Sequence, residues 1–488
     1  MRQQKPTAAR QSGRRRRLVG SLALVMLAGV LAGAALLYGI ERVGRTPREL
    51  APYIVRRASG HRSAITVTAG LVSGALIAAD GLAPPPGPRL PVWWGASPAR
   101  STPPPPAGAQ THLIGSVGEL RAALQSASPG DIIELLPGTY RISYPSIGLT
   151  AAGTAAAPIT LRAPRLGDVI LESDTVVAFK PTAPYWHIEN LVIRGKCGDD
   201  SDCEHAFQVV SGARHIVIRN NLLEDFNAQI KINAEGDQIP DDGTIIGNTL
   251  IDTRPRNTAN PVTPIDLVQA SHWRIADNLI ADFTKTEGNS VSYGAFVKGG
   301  GSGNEFARNI VLCSGNLPSP GGQQIGLSFG GGGTGATIFR HGDRSGIEQH
   351  GSVMRDNLIA FCSDVGIYLN RAANSFITHN TLLDTVGIDV RFIESSAHIH
   401  DNLVDGIIRS RDGGVVDAQR NETSPLLGLF VGWHPVRRRF MDAERLDLRW
   451  RDPPPRGPTE GSAPDLCGAT RPPDPRPGAF EDFSACTR

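Results

Sequence analysis

From Ile216 onward one asparagine recurs in a fixed setting: an apolar residue, two variable positions, Asn, one variable position and another apolar residue. The segments read IRNNLL at Asn221, IIGNTL at Asn248, IADNLI at Asn278, FARNIV at Asn309, MRDNLI at Asn357, ITHNTL at Asn380 and IHDNLV at Asn402. Successive asparagines are 27, 30, 31, 48, 23 and 22 residues apart. Units of this length, built from short apolar runs without amphipathic stretches of ~10 residues, fit the coils of a parallel β-helix and not a helical repeat. The 48-residue spacing reads as two coils, one of which has lost its Asn. The asparagine itself reads as structural. It tolerates the left-handed backbone of a corner, and stacked amides hydrogen-bond along a solenoid.

Composition agrees with many short strands joined by turns, since Gly 55 and Pro 37 are high and aromatics make up 6%. The formal net charge of +2 conceals an uneven distribution. Positions 1–62 hold 13 basic and 2 acidic residues, which leaves 36 basic against 45 acidic for the rest. A mildly acidic folded part argues against a nucleic-acid partner, because phosphate-backbone binding needs a basic footprint.

The N-terminal charge fits membrane topology instead. Residues 18–40 (LVGSLALVMLAGVLAGAALLYGI) form 23 uncharged positions, enough to cross ~30 Å of hydrocarbon at ~1.5 Å per residue. Arg14, Arg15, Arg16 and Arg17 precede this segment and favour an N-in orientation, opposed by Arg42, Arg45 and Arg48 on the other flank. The reading is a single-pass, uncleaved anchor in a bacterial inner membrane with the large domain in the periplasm; a signal peptide is the alternative. A second apolar run, Ala64 to Ala79, covers 16 residues and is read as an amphipathic helix lying on the membrane.

The expected order is therefore a basic cytoplasmic tail (1–17), the anchor (18–40), a membrane-proximal amphipathic segment (41–80), a stiff Pro-rich linker (81–110), the β-helix (111–418) and a C-terminal cap with a Pro-rich tail (419–488) that closes or flanks the last coil. Ser116 and Glu119 have capping-box spacing, and Leu120, Ala123 and Leu124 follow at helical spacing, so a short helix is predicted over the open end of the first coil. The fold class is all-β: a single-stranded right-handed parallel β-helix with an N-terminal capping helix, preceded by a transmembrane helix. Cys197 with Cys203, and Cys467 with Cys486, bracket loops at spacings that suit disulfides in an oxidising compartment. Cys313 and Cys362 sit in apolar strand-like contexts and are read as buried free thiols. Zinc is not expected, since no CxxC pair accompanies them.

A second row of short strands lies ahead of the asparagines: AQIKIN, PIDLVQ, GAFVKG, IGLSFG, GIYLN and GIDVR. Strand side chains alternate between faces, so stacking at ~4.8 Å is expected to set Lys231, Asp266, Lys298, Ser328, Tyr368 and Asp389, with Asn370 and Arg391 at the strand ends, along one outer ridge. Glycines flank the row and are read as leaving bare backbone where an extended polymer could lie close. Lys231, Asp266, Tyr368, Asn370, Asp389 and Arg391 are the candidate binding residues for an acidic polysaccharide. The plainer reading is that the outward positions of any solenoid are polar.

Two segments, FVKGGGSGNEFARN (296–309) and FRHGDRSGIEQHGSVMRDN (339–357), resemble the Lys-containing and Arg-His-Gly-containing segments of polysaccharide lyases typified by chondroitinase B and alginate lyases, which share the pectate-lyase-like β-helix. The resemblance implies Lys298 as the general base that removes the C5 proton of a uronic acid and Arg340 as the group that stabilises the carboxylate or assists the leaving oxygen. His341 is a candidate second acid or base. Here Lys298 and Arg340 are 42 residues apart, read as two coils, whereas the lyases set the pair on neighbouring coils. More broadly, CEHAF, DFNAQIKIN, PVTPIDLVQASHW, GLSFGGGGT and GIYLNRAANS resemble a group of bacterial right-handed β-helix proteins that brings no reaction with it.

No dedicated metal site is expected, although Asp237, Asp241 and Asp242 in GDQIPDDG offer hard oxygen ligands that could hold calcium. The aspartate pair lacks the accompanying motifs of polygalacturonase-type hydrolases, so hydrolysis ranks below elimination. The expected function is a periplasmic lyase or epimerase acting on uronic-acid polymers. A non-catalytic polysaccharide-binding or envelope scaffold is the alternative.

Overall fold

The computed structural model describes residues 38–39, 44–81, 89–100, 108–317, 322–331, 334–335, 338–343, 345–458 and 463–486. The proposed anchor 18–40 lies outside the described residues except for 38 and 39, as does the basic tail 1–17.

The described coils form a right-handed parallel β-helix with three long faces. Sheet I has 12 strands, from Thr111–Ile114 to Val415–Gln419. Sheet II has 11, from Gly138–Ile142 to Glu422–Thr423, and sheet III has 10, from Ile147–Leu149 to Ile407–Arg411. Neighbouring strands within each face are parallel and belong to successive coils, as the register Ile218, Ile245, Ile275, Phe306, Met354, Ile377 and Ile399 shows for sheet I. This column is fully buried. Each such aliphatic side chain stabilises the fold by roughly 1.5–3 kcal/mol relative to exposure, so the stack itself fixes the register.

The asparagines stand where sheet I turns into sheet II. From Asn221 to Asn421 each Nδ2 donates to the Oδ1 of the next at 2.8–3.1 Å. The same Oδ1 accepts the backbone N–H of the preceding asparagine, as from Asn278 to Asn309 at 3.1 Å. The left-handed residue is not the asparagine but its predecessor: Asn220, Gly247, Asp277, Arg308, Asp356, His379, Asp401 and Arg420 all have positive φ. The ladder also runs straight from Asn309 to Asn357, and Glu305–Ala307 pairs directly with Val353–Arg355. The 48-residue spacing is thus one long coil and not two.

That miscounted coil also hides a covalent link. Cys313 and Cys362 are not free thiols; they follow registered strand ends on adjacent coils and form a disulfide. Cys197–Cys203 and Cys467–Cys486 are joined as well.

Several elements lie outside the coils. Helix α1 (Pro47–Ala58) and helix α2 (Ser63–Asp80) form an antiparallel hairpin, and helix α3 (Val117–Ser126) covers the first coil with Leu120 and Leu124 fully buried. Ser116 caps α3 by accepting from Glu119 N–H at 3.2 Å, while Glu119 accepts from Gly115 N–H at 2.8 Å. Residues 89–100 are not a free spacer. They run along the outside of sheet II, where Leu90, Trp93 and Trp94 pack, Arg89 donates to Ser314 O at 2.7 Å, and Ser97 N–H donates to Asn220 at 2.8 Å. The C-terminal residues share that face: Val436, Phe440, Leu448, Leu466 and Phe480 cover Leu279, Ile310, Leu358 and Leu383. They flank the solenoid, and they leave the strands at 407–411, 415–419 and 422–423 as the last in their sheets.

Candidate functional site

Sheet III carries the second row, and its outward positions resolve into two columns. One runs Gln208, Lys231, Asp266, Phe296, Ser328, Tyr368, Asp389 and Arg409. The other sets Lys298 opposite Val268, and farther along sets Asn370, Arg391 and Arg411 in register. Lys298 is therefore not level with Asp266, as a single ridge would require; Phe296 holds that place. The flanking glycines are not bare backbone for a ligand either. A Cβ on Gly294 would meet Phe283 and Val311 in the core, and one on Gly326 would meet Ile359, so this column faces inward where strands cross closely. The inward kink turns Tyr293 outward, edge-on to the Phe296 ring with centroids 5.4 Å apart.

Most of the polar residues in the two columns are engaged with one another. Lys231 Nζ donates to Asp266 Oδ2 at 2.6 Å. Asp389, 1% exposed, lies between Arg409 and Arg411, with contacts of 3.1 and 2.9 Å. Tyr368 Oη accepts from Asn370 at 3.2 Å and from Arg391 at 3.5 Å, and Arg391 also donates to Asp412 at 2.5 Å. Burial pushes the Tyr368 phenol above its ordinary value, and Arg391 opposes that shift. Ser328 is fully buried and donates to Gly330 O.

Lys298 differs from these. It is part-buried, its Nζ lies 4.5 Å from the Phe296 ring centroid, and its ammonium makes no ion pair or hydrogen bond among the described residues. Burial lowers its pKa below the ordinary lysine value; Asp266 opposes this and Lys231 adds to it. Asp266 Oδ1 is buried without a hydrogen-bond partner among the described residues, so the pair next to Lys298 keeps one acceptor unused. A side chain at Gly331 would come within 3.1 Å of Lys298 Cδ, which shows how closely the glycine-rich loop passes over it.

Arg340 is near Lys298 in the chain path but committed elsewhere. Its N–H donates to Gly299 O at 2.8 Å, which puts it beside Lys298 on an adjacent coil and not two coils away. Its guanidinium forms a fork with Asp241 at 2.8 and 2.9 Å and reaches Gln269 O at 3.1 Å. The hydrogen bonds to Asp241 hold the Arg340 pKa above its ordinary value, which makes the group a clamp on the loop. His341 is exposed in a left-handed turn of the same loop.

Two of the three calcium candidates already have side-chain partners. Asp241 serves Arg340, and Asp242 lies 3.4 Å from His272 and 3.9 Å from His215. Among the described residues no group of three or more His, Cys, Asp or Glu is placed to hold a metal.

Residues that the sequence reading passed over complete the surroundings. Tyr293 and Phe296 supply aromatic surface beside Lys298, and burial lowers the pKa of His205, whose ring lies 3.1 Å from Ala228 O. The signal for His205 was available, since it opens the strand HAFQV in this same sheet.

Fold and site together define a right-handed parallel β-helix whose sheet III carries a lysine, Lys298, that is unpaired among the described residues, beside charges that are mostly paired with one another. No family model matches the chain, and no curated protein matches it. Solved structures do align. The pectate lyase Pel9A aligns at 14% identity and a TM-score of 0.48, over 77% of this chain and 98% of that one. A rhamnogalacturonan lyase aligns at 14% and 0.42 over 64% and 87%, and an alginate lyase from Paenibacillus sp. str. FPU-7 at 14% and 0.35 over 64% and 99%.

Proposed function

We propose that the chain is a polysaccharide lyase or epimerase that acts on a uronic-acid polymer at sheet III, held to a bacterial inner membrane by residues 18–40 with its coils in the periplasm. The observation that carries this reading is the part-buried Lys298 ammonium on the Phe296 ring, unpaired among the described residues. A lysine base must lose its proton near neutrality, and burial acts in that direction. In the proposed step Lys298 Nζ takes the proton at C5 of a uronate. Elimination would then form the C4–C5 double bond and break the C4–O bond, the leaving oxygen taking a proton from water, whereas epimerisation would return a proton from water to C5 on the opposite face. The remaining polar residues of sheet III, Lys231 with Asp266 and Arg391 with Tyr368 and Asn370, would line the track that holds the polymer.

A second reading, a non-catalytic polysaccharide-binding or envelope scaffold, is favoured by a separate observation: Arg340 is forked to Asp241, so it does not face a substrate carboxylate in this arrangement. One experiment separates them. The full chain is incubated with a panel of acidic polysaccharides while ultraviolet absorbance of the unsaturated uronate and exchange of the C5 proton with deuterated water are followed. Absorbance or exchange that disappears in Lys298→Ala supports the lyase or epimerase; retained activity removes Lys298 as base; binding without either signal supports the scaffold.

A further inference from the structure

The α1–α2 hairpin is docked rigidly at one end and bare at the other. At its base Arg48 donates to Asp80 at 2.9 Å, to Cys362 O and Asp384 O at 2.8 Å each, and to Asp384 Oδ1 at 2.5 Å. Glu49 accepts both guanidinium nitrogens of Arg409 at 2.9 Å, and His434 meets Ala79 O at 3.0 Å. These contacts join the hairpin to the last coils of the solenoid.

Beyond that base, α1 is the main cover that α2 has among the described residues, along Ala69 and Ser73. Its sequence SAITVTAGLVSGALIAAD holds no charge before Asp80, and by length and composition it could cross a membrane. Leu71 is 72% exposed and Val67 62% exposed. At ~100° per residue, Ile65, Val67, Leu71, Val72 and Ile77 spread over all but the side where Ala69 and Ser73 pack on α1, so it is not the one-sided helix that residues 64–79 were expected to form. An apolar helix bare on all sides but one is unfavourable in water, since each large exposed side chain forgoes roughly 1.5–3 kcal/mol of burial. The tip between the helices is cationic: Arg56, Arg57 and Arg62 are all exposed there, with His61 between them. The uncharged segment 18–40 ends four residues before Gly44, at the base of the same hairpin.

From these observations we infer that the hairpin is a lipid-seated foot: α2 lies in the acyl region of an anionic bilayer, with Arg56, Arg57 and Arg62 at the phosphates. Apolar surface supplies the insertion, and the cations add attraction to anionic lipid on the order of 1 kcal/mol each. A foot fixed to the last coils turns the C-terminal end of the solenoid toward the membrane. Lys298 is four strands from the end of sheet III, so at ~4.8 Å per coil the proposed site stands ~20 Å above that end. The inference rests on the anchoring proposed for residues 18–40 only for bringing this hairpin to a bilayer.

The test uses the full chain reconstituted in phosphatidylcholine vesicles with and without phosphatidylglycerol. Leu71→Cys carries an environment-sensitive fluorophore, and Tyr144→Cys, at the far end of the solenoid, carries the same label as control. The expected result is blue-shifted emission at position 71 that doxyl groups on the acyl chains quench, more strongly with anionic lipid, and water-like, unquenched emission at position 144. Replacing Arg56, Arg57 and Arg62 by Gln should remove the dependence on anionic lipid. Water-like emission at position 71 would overturn the inference, and so would blue-shifted emission that lipid quenchers do not reach, because protein would then cover the helix. Release of the whole chain from the vesicles would instead count against the anchor at 18–40.

Discussion

The asparagine corner and the outward face of sheet III are made by the same coils yet follow opposite rules. At the corner one residue type repeats, and its amide bonds pass unbroken from Asn221 to Asn421. On sheet III the residue changes at every coil, from Lys231 to Asp266 to Phe296 to Ser328 to Tyr368. Repetition at a buried corner solves the same hydrogen-bonding problem each time. Variation on an outward face meets no such demand, so it is where local chemistry can be placed.

The contrast predicts different losses. Under the proposed function, Lys298→Ala has the largest effect: activity should fall by about 10²–10⁴-fold with the melting temperature unchanged, read by product absorbance and calorimetry. Asn309→Ala should do the reverse in kind. It strands the Asn278 N–H and the Ile275 carbonyl, both buried, and should cost about 3 kcal/mol in urea unfolding. Arg340→Ala comes next. It leaves the part-buried Asp241 without its fork, which should cost about 1–3 kcal/mol and raise proteolysis of the loop around 330–348; if Arg340 instead served the reaction, the loss would appear in turnover and not in stability.

The smallest effect tests sign more than size. Asp252 is buried with Oδ2 unpartnered among the described residues, and burial raises its pKa well above the ordinary 3.8. The folded state therefore holds a proton that the unfolded state releases, and this group's contribution to stability falls as pH rises above about 3.8. Asp252→Asn should thus gain on the parent protein as pH rises from about 3.8 in denaturant titrations. An advantage that shrinks as pH rises would contradict the assignment.

How much of this could be read from the chain varies by region. The corner was legible because burial and amide geometry leave few substitutes for Asn, although the strain falls on the residue before it. The coil count was not, because a long loop and a lost repeat give the same spacing. That one ambiguity also concealed the Cys313–Cys362 disulfide and moved Arg340 a coil away from Lys298. On sheet III, alternation identified the outward residues correctly, but choosing the ionisable member of each strand mixed two columns and overlooked Phe296. Which charges are already paired depends on contacts across coils, such as Arg340 with Asp241, and no spacing within a strand reports them.

The strap at 89–100 changes how such a molecule comes apart. A solenoid joined only coil to coil behaves as a one-dimensional chain and can fray from an end, one unit at a time. Here Ser97 is tied to Asn220, Ala96 to Thr249 and Arg89 to Ser314, contacts that close loops of 123, 153 and 225 residues. Arg48 to Asp384 closes one of 336. Losing the last coil therefore also means releasing ties that reach the first hundred residues, and the whole stack should unfold in one transition instead of peeling.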